Sequence, residues 1–316
     1  MLIHNAQNIT VRPLVAGFLL LAVFTLFLSC SHRDAKVPLA HVGATREVVD
    51  EAGRHVTVPA RVERVVSLAP NLTEIVYAIG AGDRLIGDTE FCNFPPEAAR
   101  VAKVGDTLHP SVERILALRP QVVLVSTASQ LESFTKELAE HQIAVFVTDP
   151  HDLAGVFKSI QHLGVLLGET ARAETVAGKL RERTATVEKA VVSSKPLRVF
   201  YQLSDRPLYT AGRDSFITDL IRRAGGVSVT ANVPGAWPRY SDESAVAAQP
   251  DSIILPTGGS MGSGNSEAAD PFKKSPAALA GRIYKLNEDH LNRPGPRLVD
   301  GLEELARALH PEAFKQ

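Results

Sequence analysis

The chain has 316 residues, 45% of them hydrophobic and 22% charged, with a formal net charge of -1. That length predicts two domains with full cores, and that charge disfavours nucleic acid or an anionic membrane surface as partner, since both call for a basic excess. Two cysteines, Cys30 and Cys92, are too few for a disulfide-built scaffold.

In chain order, the first segment reads as a targeting sequence. Residues 1–29 carry one charge, Arg12, and Leu14 to Leu28 is almost wholly apolar. Such a run is short for a spanning helix, which needs ~20 residues, but suits the core of a signal peptide. Ser29 and Cys30, followed by the polar run Ser31 to Asp34, resemble a bacterial lipoprotein signal, in which the leader is cut before the cysteine and the thiol is acylated. Cys30 would then carry the lipid. An uncleaved N-terminal anchor, or ordinary cleavage with Cys30 a bystander, would export the chain equally. Residues 30–43 lack periodicity and read as a tether.

Beyond it, strand and helix patterns alternate. Val65 to Leu68 is a β-rich run ended by Ala69-Pro70, and Asn71 caps a helical stretch from Leu72 to Ile79. Leu85 to Gly87 is a second strand. Ser111 opens a helix that stops at Pro120, Gln121 to Val125 is a buried strand, Leu131 to His141 a helix, and Ala144 to Val147 a strand. This alternation implies parallel sheet and βαβ units. From Glu169 to Val192 a long helix is expected, with Val176, Leu180, Thr184, Val187 and Val191 on one stripe. It would span ~35 Å. The second half repeats the grammar, with a strand from Leu197 to Leu203, a helix from Phe216 to Arg223, a turn at Gly225-Gly226 and a late strand at Ile283 to Lys285. Residues 111–125 and 241–255 align without a gap, with Ser111/Ser241, Glu113/Glu243, Ala117/Ala247 and Pro120/Pro250 identical. The expected architecture is α/β: two Rossmann-like lobes, residues 44–168 and 195–316, joined by one backbone helix over 169–194, with a ligand cleft between them.

Several stretches carry a resemblance: RVVSLAPNLTEIVYAIGAGDRLIG (64–87), FCNFPPEA (91–98), VERILALRPQVVLV (112–125), AWPRYSDES (236–244) and RPGPRLVDGLEELARALHP (293–311). In order and spacing the chain resembles the solute-binding proteins of ABC importers for cobalamin, heme and iron–siderophores, and among them the cobalamin-binding members most. The resemblance implies capture of cobalamin or a related corrinoid, with no cofactor and no covalent chemistry. It also implies delivery to a permease dimer with its ATPase by a monomer held at the membrane only by lipid, in the periplasm or at the cell surface.

Candidate site residues follow. Trp237, the only tryptophan, lies among turn residues in Pro234 to Pro238 and offers a flat surface for a planar ligand; the resemblance sets it in the cleft, and packing into its own lobe is the alternative. Phe91 matches a cleft tyrosine of the relatives. Phe94, Tyr209 and Tyr240 could add aromatic contacts. Pro70 and Asn71 follow a strand's carboxyl end, where α/β lobes bind ligands. Asp289 and Arg293 match polar cleft residues that would hydrogen-bond amides or a phosphate, with an ordinary ion pair as the alternative. Glu132 and Glu243, one per lobe, match the acids that meet permease arginines. Two tryptophans of the relatives are replaced by Thr107 and Ser126, which leaves heme or a siderophore open as ligand. The ten histidines are scattered, no pair has metal-ligand spacing, and Cys92 has no second soft ligand nearby. A two-lobed metal-cluster enzyme or chelatase, or a ligand sensor, are the competing classes; no GxSxG, HExxH or P-loop occurs.

Overall fold

A computed structural model describes residues 44–126, 132–259 and 267–315. The signal, the tether and Cys30 lie outside these residues. A hairpin not anticipated from the sequence comes first, β1 (Thr45–Val49) and β2 (His55–Pro59). It packs against the edge of the first sheet, where the Asp50 carboxylate accepts from Val147 N at 3.3 Å and the Glu51 amide donates to the Val147 carbonyl.

The N-terminal lobe then runs β3 (Val65–Ser67), α1 (Pro70–Ala78), β4 (Leu85–Asp88), α2 (Val112–Leu118), β5 (Val122–Ser126), α3 (Glu132–Glu140), β6 (Ala144–Thr148) and α4 (Leu153–Leu167). Its four strands are all parallel, in the order β4-β3-β5-β6. α5 (Thr170–Val191) follows. The C-terminal lobe comprises β7 (Leu197–Asp205), β8 (Leu208–Thr210), α6 (Phe216–Arg223), β9 (Gly226–Ser228), α7 (Asp242–Ala248), β10 (Ser252–Thr257), α8 (Pro276–Leu279), β11 (Ile283–Asn287), α9 (Glu288–Leu291) and α10 (Leu298–Leu309). Its parallel strands run β9-β7-β10-β11, with β8 antiparallel to the far end of β7. Both sheets therefore place their strands in one order, second-first-third-fourth, as expected of two α/β lobes of one design.

The repeat is structural as well as textual. Ser111 and Ser241 each cap a helix, accepting from the amide three residues on, Arg114 N and Ser244 N. Each helix ends on a left-handed residue, Arg119 at φ 49° and Gln249 at φ 41°, just before the proline that turns the chain into the central strand. Asn71 departs from its expected role. The helix begins two residues earlier than expected, with Ala69 as the extended cap and Pro70 in its first turn, because a proline's missing N–H costs nothing there and its fixed φ suits the turn. Gly226 opens β9 instead of completing the turn; only Gly225 has a positive φ, 81°.

Each sheet buries one face against its own helices, around Ile115, Leu138 and Val147 in the first lobe and Phe200, Ile253 and Phe272 in the second. The other faces share one apolar layer that runs through α1, α4, α5, α6 and α10. The expected stripe on α5 is buried at Leu180, Thr184, Val187 and Val191, with Ala173 and Ala177 completing it and Val176 half-buried. A shared helical layer, more than one linking rod, joins the lobes. Among the described residues no helix is long and apolar enough to cross a membrane.

Candidate functional site at the lobe boundary

Loops at the carboxyl ends of the strands meet across the boundary. After β3, the Asn71 side-chain amide donates to the Pro294 carbonyl at 3.3 Å. After β6, the His151 ring lies 3.4 Å from the Asp214 carbonyl, and the Leu153 amide donates to Asp219 at 3.1 Å. Toward the β4 side of the Asn71 contact, a buried charge cluster spans the boundary. Glu74 of α1 accepts from Arg293 at 2.8 Å through Oε1, and from Arg297 at 2.6 Å through Oε1 and 2.9 Å through Oε2. Arg293 also donates to Asn93 Oδ1 at 2.9 Å and to the Phe91 carbonyl at 3.3 Å, and pairs with Asp289 at 2.8 Å. Glu74 and Arg293 are each 3% exposed. Burial works against the charge on Arg297, but its hydrogen bonds to Glu74 outweigh that and raise its pKa above the ordinary value. The Arg297 guanidinium stands 4.2 Å over the Phe94 ring, a cation–π contact.

Local structure aims these groups. The Asn287 side chain caps the short helix α9 by accepting from the Asp289 amide at 2.9 Å. Buried Tyr201 donates its hydroxyl to Asn292 Oδ1 at 2.5 Å, and His290 pairs with Glu304 at 2.7 Å. With the turn held at three points, Arg293 and Arg297, at the two ends of the Pro294-Gly295-Pro296 loop between α9 and α10, both reach Glu74 on α1.

Trp237 stands on a loop fixed by main-chain bonds. Thr210 N donates to Pro238 O at 3.2 Å, Gly212 N to Ala236 O at 2.9 Å and Arg213 N to Val233 O at 2.7 Å. Gly212 is required, since a side chain there would overlap the Gly235 carbonyl. The indole is half-buried and meets Phe216 edge-on, with centroids 5.7 Å apart at 79°. The ring is thus packed on its own lobe at one side, and the loop that holds it is preorganised.

Below the Phe91–Phe94 loop, Lys103 donates to Asp88 at 2.7 Å and to the Cys92 and Ala98 carbonyls at 3.1 Å each. It ties both ends of that loop to β4. Asp88 is fully buried, and burial raises its pKa to about 6 despite the lysine. The folded state therefore holds this proton over a window, from about 4 to about 6, where an unfolded aspartate has lost it. Raising the pH from about 4 to just above 6 should remove roughly 2–3 kcal/mol of stability from this group, about two pH units at ~1.4 kcal/mol each. Denaturant titrations of the wild type and Asp88→Asn would check it: the variant should lose that part of the pH dependence, and an unchanged slope would refute it. Cys92 is buried against the Thr73 and Thr89 hydroxyls, at 3.2 Å each, and burial raises its thiol pKa.

Of the residues singled out from the sequence, Asn71, Phe91, Phe94, Asp289 and Arg293 converge here, and Pro70 starts the helix that carries Asn71. The ion pair foreseen between Asp289 and Arg293 exists, but buried and bridged to the other lobe; it is not a solvated loop contact. Tyr240 packs on its own lobe, 5.6 Å from the Phe200 ring, and burial raises its pKa. Tyr209 is half-buried on β8, in a bridge with Arg239. Thr107 is half-buried, and Ser126 is buried at the end of β5. Glu243 is exposed on the first turn of α7, and its own amide and the Ser241 hydroxyl lower its pKa. Glu132 is the first residue of α3. Sequence reasoning missed Glu74, Asn93 and Arg297. A signal for Glu74 existed: it is the one charge in a helix whose neighbours Leu72, Ile75 and Val76 are all core residues, and a charge so placed needs a partner.

Two parallel-sheet lobes clasped across the carboxyl ends of their strands define a bilobed ligand-binding protein. Residues 65–288 match the periplasmic binding protein family, and the chain belongs to it. It is 31% identical to the ABC transporter substrate-binding lipoprotein YvrC of Bacillus subtilis, over 84% of this chain and 86% of that one. Among solved structures it resembles the periplasmic vitamin B12 binding protein BtuF of Vibrio cholerae, with 27% identity and a TM-score of 0.71 over 81% of this chain and 99% of that one. The periplasmic heme-binding protein RhuT from Roseiflexus is similar at 25% identity and a TM-score of 0.70, covering 80% and 99%. The protein is thus a solute-binding component of an ABC importer.

Proposed function

We propose that the protein captures a corrinoid of the cobalamin type between its lobes and hands it to the importer's permease dimer, tethered meanwhile by lipid at Cys30. The observation that carries the ligand reading is Trp237: a half-exposed indole, backed edge-on by Phe216 and held on a main-chain-pinned loop, is a preformed platform for a broad, largely apolar ring system. The likeness to a vitamin B12 binding protein supports it. Heme is the second reading, supported by the likeness to RhuT and by Thr107 and Ser126, which leave the N-terminal side of the cleft without tryptophans. Because Trp237 is the only tryptophan, its fluorescence reports the site directly. Titration with cyanocobalamin, cobinamide, hemin and a ferric siderophore should show saturable quenching by the corrinoids at the lowest concentrations. Quenching by hemin alone would replace the corrinoid reading with the heme one.

Docking follows from the duplication. Glu243 lies on the first turn of α7, and its repeat partner is Glu113, exposed at the same place on α2 after the same serine cap. A pseudo-twofold pair of carboxylates suits a permease dimer better than Glu243 with Glu132, the pair expected from the resemblance, which lies on a different helix of the repeat. Charge reversal of Glu113 and Glu243 together should leave ligand affinity within about twofold, since both are solvent-exposed and outside the cleft. Uptake into vesicles carrying the importer should fall by at least ~10-fold. If Glu132→Lys alone abolishes uptake and the double variant does not, the resemblance-based pair is the right one.

A further inference from the structure

We propose that Glu74 sets the charge preference of the cleft: by engaging both Arg293 and Arg297 it leaves the floor between the lobes electrically neutral, so the site accepts an uncharged, amide-bearing ligand and rejects one with free carboxylates. The inference rests on the cleft reading above and adds the residue that decides the ligand's charge.

The floor holds two acids, Glu74 and Asp289, and two arginines, Arg293 and Arg297. The arginines alone would form an anion trap of the kind that binds carboxylates bidentately. Glu74 closes it from inside. Both its oxygens are engaged, on two guanidinium groups, whereas Asp289 stands 2.8 Å from Arg293 and 4.0 Å from Arg297. A ligand carboxylate arriving here has two options. It can remain without a counter-charge in a poorly solvated gap, or it can displace Glu74, which at 3% exposure would itself be left buried and unpaired. Either outcome penalises an anionic ligand without adding any contact to a neutral one, which is discrimination by repulsion. A primary amide meets no such penalty, because it brings no charge that needs a partner. Glu74 acts through the arginines and so is a positioning residue.

The test compares ligands that differ only in charge. Wild type, Glu74→Gln, Glu74→Asp and Arg297→Gln are titrated with cyanocobalamin and with its monocarboxylate, in which one propionamide is hydrolysed. Hemin and hemin dimethyl ester form a parallel pair. Wild type should favour the uncharged member of the pair it binds by roughly tenfold. Glu74→Gln leaves one positive charge in excess and should shift the ratio roughly tenfold toward the acid. Arg297→Gln leaves one negative charge in excess and should shift it the opposite way, while Glu74→Asp should stay near wild type. Loss of structure alone would weaken both members of a pair together, so opposite shifts in the two variants are the signature sought. The Arg297→Gln arm stands even if Glu74→Gln fails to fold. Ratios that do not move with the variants overturn the proposal. Binding of hemin but neither corrinoid overturns the corrinoid reading instead, and the heme pair then carries the same comparison with the same signs.

Discussion

Glu74→Ala should lower folding stability by about 3–5 kcal/mol, a large part of what holds a domain together. The loss would come less from the contacts removed than from what they leave behind. Arg293 is 3% exposed and would keep its charge with only Asp289 to balance it, while Arg297 would lose both of its short hydrogen bonds to Glu74. No other residue of α1 carries a charge that could replace the missing carboxylate, and Asp289, already paired with Arg293, stands 4.0 Å from Arg297. Urea unfolding followed by circular dichroism would measure the loss. Arg293→Met together with Glu74→Leu should recover much of it, since an apolar replacement of a whole buried pair is often close to neutral. A stability change under about 1 kcal/mol in Glu74→Ala would mean that the arginines reach solvent easily and the cluster does not bind the lobes.

The second large effect is expected at Trp237. Trp237→Ala should weaken ligand binding roughly 10- to 100-fold, the scale of losing a buried aromatic platform. The loop that presents the indole is held by three main-chain hydrogen bonds that do not depend on the side chain, so the loop itself should survive the change. Trp237→Phe should recover part of the affinity. Calorimetry, which does not need the indole as a probe, would give the constants. Unaltered affinity in Trp237→Ala would assign the indole to packing on Phe216 alone and remove the main support for a planar ligand.

Much of the architecture was legible in the chain. Ser111 and Ser241, each three residues before the amide it accepts from, and Pro120 and Pro250 beyond the helix ends, announced two copies of one helix–strand unit. The stripe on the long helix announced the face that it buries. The hairpin at residues 45–59 was less legible, since its strands are half-exposed and carry no strong apolar run. Asn71 misled because asparagine is a common cap, yet the preceding proline can itself begin a helix.

What the sequence determined by itself is whatever depends on neighbours a few residues apart: caps, turns, apolar periods, and hence two parallel-sheet lobes of one design with a long helix between them. Only the tertiary structure decided the character of the site. Glu74 meets Arg293 and Arg297 across 219 and 223 residues of chain, and nothing local to either segment signals the other. The pairing exists because the two lobes pack with α1 facing the turn after β11. That docking turned residues expected to greet a ligand into a neutral, buried clasp.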